Sequence, residues 1–236
     1  MKYKLLFKPD LNKVELEITT KCNLMCKFCD RRCSQAPSNE MMSLEHIRRF
    51  VDESIRLNYQ WQKIGILGGE PTLHPELDQI ISILQTYTNK FPGCDLYLAT
   101  NYHGWKVRKK VKALQQRIRI VKSPKTNNPA WFNNINLTQI GNSDIIHNCN
   151  ISNGTGLGYT IRGYFPCGAG AAIARVLGWD IGLKSLSLVN QTAIRELLKQ
   201  ICPYCGHGLA IKVGENNSTS PFWELAYQEF RKKQAK

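Results

Sequence analysis

Between residues 13 and 123 the chain alternates short apolar, β-branched runs with segments of helical period, and this alternation limits its fold more than any other feature. "KVELEITT" (13–20) alternates apolar and polar residues and predicts a strand. "SLEHIRRFVDESIRL" (43–57) opens with Ser43 three residues before His46 and carries Leu44, Ile47, Phe50, Val51 and Ile55 at helical spacing. "KIGILGGEP" (63–71) predicts a buried strand running into a turn, and "ELDQIISILQTYTNK" (76–90) an amphipathic helix. "DLYLATN" (95–101), "KVRKKVKALQQ" (106–116) and "RIRIVKS" (117–123) continue the pattern as strand, basic helix and strand. Such alternation predicts βαβ units around a parallel sheet. In these sheets reactive groups gather beyond the carboxyl ends of the strands. A cysteine-rich loop, "GGEP", "TN" and Ser123 all fall at those ends.

After Pro124 the composition turns rich in Asn, Pro and Gly, which places a boundary near 125–145. Part of "WFNNINLTQI" is a candidate fifth strand. Beyond it, "GYTIRGYFPCG" predicts a short hairpin, "AAIARVLG" a helix ending at Gly178, and "QTAIRELLKQ" a helix running into "CPYCGHG". The chain thus divides into residues 1–145, a small cysteine-rich unit over 146–214, and a C-terminal helix with a basic tail over 215–236 that includes "PFWELAYQEFRKKQ". The glycines of "GTGLG" do not follow a strand as a nucleotide-binding loop requires, and fit the approach to the hairpin.

Nine cysteines in 236 residues is an odd and high number. No apolar run reaches the length of a membrane span, and "MKYKLLFKPDLNK" lacks a signal-peptide pattern, so the expected compartment is the cytoplasm. Thiols there stay reduced, which points to metal or redox chemistry rather than a disulfide framework. Cys33 and Cys94 belong to neither cluster and are expected to be ordinary thiols.

Cys22, Cys26 and Cys29 stand in "CNLMCKFCD". A structural zinc takes four protein ligands and a [4Fe–4S] cluster normally four thiolates. Three thiols in one loop either recruit a distant fourth ligand or leave one iron open to a small molecule. This C-x3-C-x2-C run, with Phe28 before the last cysteine and "GGEP" after the second strand, resembles the radical S-adenosylmethionine (SAM) family. The resemblance covers roughly residues 13–123. It implies a partial (βα) barrel, with four strands against the six units of a full barrel. It also implies a [4Fe–4S] cluster on Cys22, Cys26 and Cys29 whose open iron chelates SAM. Gly68, Gly69, Glu70 and Pro71 would meet the methionine end of SAM, and Phe28 the adenine. Asn101 and Ser123 would contact ribose or methionine, unless they only cap turns. The family's chemistry is reductive cleavage of SAM to a 5′-deoxyadenosyl radical that takes a hydrogen from substrate.

Cys149, Cys167, Cys202 and Cys205 form a second set: two cysteines flanking a hairpin, a short helix, then C-x2-C. Four thiols suit zinc or an iron–sulfur cluster. The arrangement over about 146–210 is similar to the twitch domain, a shortened SPASM domain that follows partial radical SAM barrels. It implies a second, auxiliary [4Fe–4S] cluster with no open iron, suited to passing electrons. His147 and His207 lie beside these cysteines as alternative ligands, proton carriers or surface groups.

Three readings follow. The first is an oxidoreductase that dehydrogenates a small molecule and passes an electron to the auxiliary cluster, as in twitch-bearing aminocyclitol dehydrogenases. The second is a peptide-modifying radical SAM enzyme that crosslinks or epimerises, although such relatives often carry a peptide-recognition domain for which this chain has no room. The third is a zinc-stabilised nucleic-acid-binding protein. It is motivated by the net charge of +14 and by the absence of Asp and Glu between Leu96 and Ser143, but it explains neither "GGEP" nor a cysteine trio. The basic stretch suits an acidic electron donor such as flavodoxin or ferredoxin, or is simply a solvated face.

Overall fold

The computed structural model describes residues 4–5, 8–24, 29–31, 33, 36, 39–123, 145–146, 149–205, 228–229 and 232. The readings that concern Cys26, Phe28, His147, His207 and "WFNNINLTQI" lie outside these residues, as does nearly all of the C-terminal helix and tail.

The central sheet has six strands in the order β5-β4-β3-β2-β7-β8. They are β2 (Lys13–Glu17), β3 (Lys63–Leu67), β4 (Asp95–Thr100), β5 (Arg119–Lys122), β7 (Leu157–Thr160) and β8 (Gly163–Phe165). Every pairing is parallel except the β7–β8 hairpin. A separate parallel pair joins β1 (Lys4–Leu5) to β6 (Ile145–Ile146). The hairpin read in the second half does not stand apart: β7 extends the sheet at the free edge of β2, so strand pairing crosses the boundary seen in the composition.

The helices are α1 (Leu44–Arg56), α2 (Leu77–Lys90), α3 (Trp105–Leu114), α4 (Asn150–Gly154), α5 (Gly168–Leu177) and α6 (Gln191–Ile201). Ser43 caps α1 by accepting the His46 N–H at 3.3 Å. Gly178 ends α5 in the left-handed conformation that closes helices at low steric cost. The core combines Val14, Leu16 and Ile18 of the first strand segment and Ile64 and Ile66 of β3 with Ile47 and Phe50 of α1 and Ile80 and Leu84 of α2. The alternating polar positions of β2 are buried as well. Glu15, Glu17 and Thr19 sit on the opposite face of the strand, inside the curl of the sheet. The alternation in "KVELEITT" therefore marks a strand covered on both sides, with charge deliberately placed within. Among the described residues no helix is long and apolar enough to cross a membrane.

Candidate active site

The strand ends build the site. After β2 the chain runs extended into the cysteine loop, and after β3 the turn Gly68–Gly69 lies directly against it. Gly69 N donates to Thr19 O and Glu70 N to Lys21 O, both at 2.8 Å. A Cβ on Gly68 would stand 2.2 Å from Thr19 O, and one on Gly69 2.2 Å from Lys21 O. The backbone of Gly68 also holds φ +150°. The two glycines are thus demanded first by the close approach of two backbones, which fixes the cysteine loop to the sheet.

Glu70 turns away from the loop and is completely buried. Its carboxylate accepts hydrogen bonds from Thr72 Oγ1 at 2.7 Å, Thr100 Oγ1 at 2.9 Å and Asn101 N at 2.8 Å. It also caps the short 3-10 turn Pro71–Leu73 through Thr72 N. Glu70 therefore ties the glycine turn to the end of β4. Asn101 sits over the cysteine loop, with its amide nitrogen 2.8 Å from Asn23 Oδ1 and 3.8 Å from Cys22 Sγ. Its Oδ1 accepts the His103 N–H at 2.8 Å. Turn capping and proximity to the first cysteine are both properties of this one side chain.

These elements enclose a cavity of about 280 Å³. Cys22, Cys29, Gly68, Gly69, Asn101 and Ser123 line it, whereas Glu70 and Pro71 lie behind its wall. Its lining also includes Glu15, Arg31, Cys33 and Tyr97, which sequence reasoning did not assign to the site. Cys33 donates its S–H toward Cys29, which draws the Cys29 thiol down to about 6, while that same bond and burial push Cys33 up. By contrast burial raises Cys94 to about 12, the behaviour of an inert thiol.

A buried quartet of charge closes the inner end. Arg31, two residues beyond Cys29, bonds the Glu15 carboxylate and stands 3.9 Å from Glu17. Arg175 of α5 bonds Glu17 and donates to the Arg31 carbonyl at 2.5 Å. Two guanidiniums thus balance two carboxylates. Glu17 Oε2 and Arg31 Nη1 keep no hydrogen-bond partner among the described residues. Burial raises the pKa of Glu15, with Arg31 opposing the shift. The only prior signal of this quartet was acidic residues at alternate positions of a strand otherwise apolar.

The second set of cysteines occupies helix ends. Cys149 precedes α4, Cys167 precedes α5, and Cys202 and Cys205 bracket the 3-10 turn after α6. Cys167 Sγ accepts the Gly170 N–H at 3.2 Å. The thiols of Cys149, Cys202 and Cys205 lie close enough to influence one another and Cys167 electrostatically. Burial pushes Cys167 and Cys202 up as free thiols. Among the described residues no group of three or more His, Cys, Asp and Glu side chains is tight enough to hold a single metal ion.

Comparison with known proteins agrees with this geometry. A probable GTP 3′,8-cyclase of Methanococcus maripaludis is 35% identical over 91 residues, 39% of this chain and 29% of that one. The GTP 3′,8-cyclase of Sulfurimonas denitrificans is 33% identical over 94 residues, 37% of this chain and 26% of that one. The matched stretch spans under a third of the length of these relatives. The crystal structure of BtrN in complex with AdoMet and 2-DOIA superposes with a TM-score of 0.56 at 16% identity, over 90% of this chain and 99% of that one, which shows a shared fold. The model of the radical SAM superfamily matches residues 16–135, the stretch that carries the cysteine loop, the glycine turn and the ends of β4 and β5. With half of its length under that match and its strand ends arranged around the cysteine loop, the chain belongs to the radical SAM superfamily.

Proposed function

We propose that the protein is a cytoplasmic radical SAM oxidoreductase that dehydrogenates a small polar molecule. Membership of the superfamily implies a [4Fe–4S] cluster and SAM. Cys22 and Cys29 beside a glycine turn in one cavity suit that pair, with Cys26 as third ligand. Cys22, Cys26 and Cys29 would hold the cluster, which with SAM would supply the hydrogen-abstracting radical of the family, and Cys149, Cys167, Cys202 and Cys205 would hold an auxiliary [4Fe–4S] cluster that would accept the second electron.

The chain's own residues do the rest. Gly68, Gly69, Asn101 and Ser123 shape the wall against which SAM lies. Arg31 and Tyr97 present fixed polar groups to the substrate. Glu15, held as a carboxylate by Arg31 and made more basic by burial, receives the proton that must leave the oxygen or nitrogen next to the radical carbon. The single observation that carries this reading is the convergence of the cysteine loop, the glycine turn and the Glu15–Arg31 pair on one cavity.

The second thiol set is read as a cluster because its arrangement is similar to the twitch domain that follows partial radical SAM barrels; zinc on the same four thiols is the other occupant. The test is the Cys202→Ala/Cys205→Ala variant, reconstituted anaerobically. It should hold about half the iron of the wild type and still release 5′-deoxyadenosine, yet form no oxidised product. Full product formation without second-site iron would overturn the electron route.

A further inference from the structure

We propose that the outer face of α3 is the docking surface for an acidic one-electron carrier protein that reduces the first cluster. The proposal rests on the radical SAM reading and adds the place of electron entry. Val107, Val111 and Leu114 face the core, while Trp105, Arg108, Lys109 and Lys112 follow each other at i, i+3, i+4 and i+7 on the exposed side. Trp105 is 65% exposed, a large aromatic surface left to solvent at the first turn. Lys106 lies over its ring at 5.8 Å, and the neighbouring Lys122 lies 4.3 Å from the ring of Tyr102.

The acids that approach this side are already matched. Asp78 is bonded by Lys110 and Arg117, and Asp95 by Arg119. Lys106, Arg108, Lys109, Lys112 and Lys122 are exposed and have no carboxylate partner among the described residues. The helix has no acid in its first turn, where the dipole favours one, and Arg108 and Lys112 repel each other one turn apart. The pattern costs the helix stability, so a partner's charge is its natural counterweight.

Position separates this from an ordinary solvated face. The aromatic end adjoins the cysteine loop: Asn23 donates to the His103 carbonyl at 2.8 Å, two residues before Trp105, and Asn101 reaches Cys22 Sγ. A carrier seated on Trp105 would lie beside the segment that contacts the cysteine loop and would give up one electron to the first cluster, itself being oxidised by one. A helix of 10 residues, about 15 Å long, is short for a nucleic-acid track and carries one aromatic instead of a stacking series.

The test measures binding of an acidic flavodoxin to the anaerobically loaded protein by calorimetry at low and moderate salt. Binding should weaken with salt, fall at least about tenfold in the Arg108→Glu/Lys109→Glu/Lys112→Glu variant, and fall less in Lys109→Gln/Lys112→Gln and in Trp105→Ala. Release of 5′-deoxyadenosine driven by dithionite, which needs no docking, should match wild type in all three. Equal flavodoxin affinity in wild type and charge-reversed protein overturns the proposal. So does a DNA duplex that binds the face more tightly than flavodoxin does. Failure of dithionite-driven cleavage in wild type would instead strike the radical SAM reading, leaving the binding result to judge the surface alone.

Discussion

Replacing Glu70 separates its role as an internal tie from that of a ligand contact. In Glu70→Ala the buried Asn101 N–H loses its acceptor at 2.8 Å, and the hydroxyls of Thr72 and Thr100 lose theirs at 2.7 and 2.9 Å. An unsatisfied buried donor costs about 1–3 kcal/mol, and each hydrogen bond to a charged group contributes about 1.5–3 kcal/mol. The hydroxyls can turn to other acceptors, and removing a buried charge returns part of its desolvation cost. We therefore expect a loss of about 3–5 kcal/mol. Glu70→Gln behaves differently because Oε2 is the oxygen that serves Asn101 N. An amide oxygen there keeps that bond, and the amide nitrogen at Oε1 faces two hydroxyls that can accept as well as donate. Only the Thr72 N–H at 3.2 Å goes unserved, for about 1 kcal/mol. Urea midpoints of the anaerobically loaded protein, with hydrogen exchange at the Asn101 amide, measure both losses. Equal destabilisation by Ala and Gln, or none by either, would refute the tie.

Arg175→Met removes the cation that holds Glu17 and the Arg31 carbonyl, and should cost about 3–5 kcal/mol and lower iron retention by the cysteine loop, with partial recovery in Glu17→Gln/Arg175→Met. Arg175→Lys should not restore stability in the same denaturation assay, since one ammonium cannot serve both acceptors. Glu15→Gln should leave 5′-deoxyadenosine release intact while product formation drops by about 100-fold or more, read by chromatography of both products from one reaction. His74 is buried, with Nδ1 accepting the Glu76 N–H at 3.1 Å and Nε2 facing the Met42 carbonyl at 3.1 Å, so it is held neutral, and burial lowers its pKa from 6.5. The unfolded chain then binds a proton that the folded chain refuses, so stability is present above pH 6.5 and declines as pH falls below it, and a His74→Gln variant should lose that part of the slope.

The parts of this protein legible in sequence were those with a local signature. The period of Ile47, Phe50 and Val51 marked α1, and glycines after a strand marked the turn that meets the cysteine loop. Position along the chain also put Asn101 and Ser123 at strand ends, where they do line the cavity. What stayed hidden is set by pairing between distant segments. Nothing local says that β7 adds to β2, because that register joins residues more than 140 positions apart. Nothing local marks Arg31 and Arg175 as the counterions of Glu15 and Glu17, which they become once α5 is laid beside the first strand. Thr100 and Asn101, the partners of the Glu70 carboxylate, come from β4 and the residue after it, which no local feature near Glu70 announces.

Everything above depends on reductive cleavage of SAM at the cysteine loop. The direct measurement is 5′-deoxyadenosine released by anaerobically iron-loaded protein given SAM and dithionite, compared with a Cys29→Ala variant treated identically. The account predicts release by the wild type and none by the variant. An iron-loaded wild type that leaves SAM intact, or a variant that cleaves it as well as the wild type does, would contradict it.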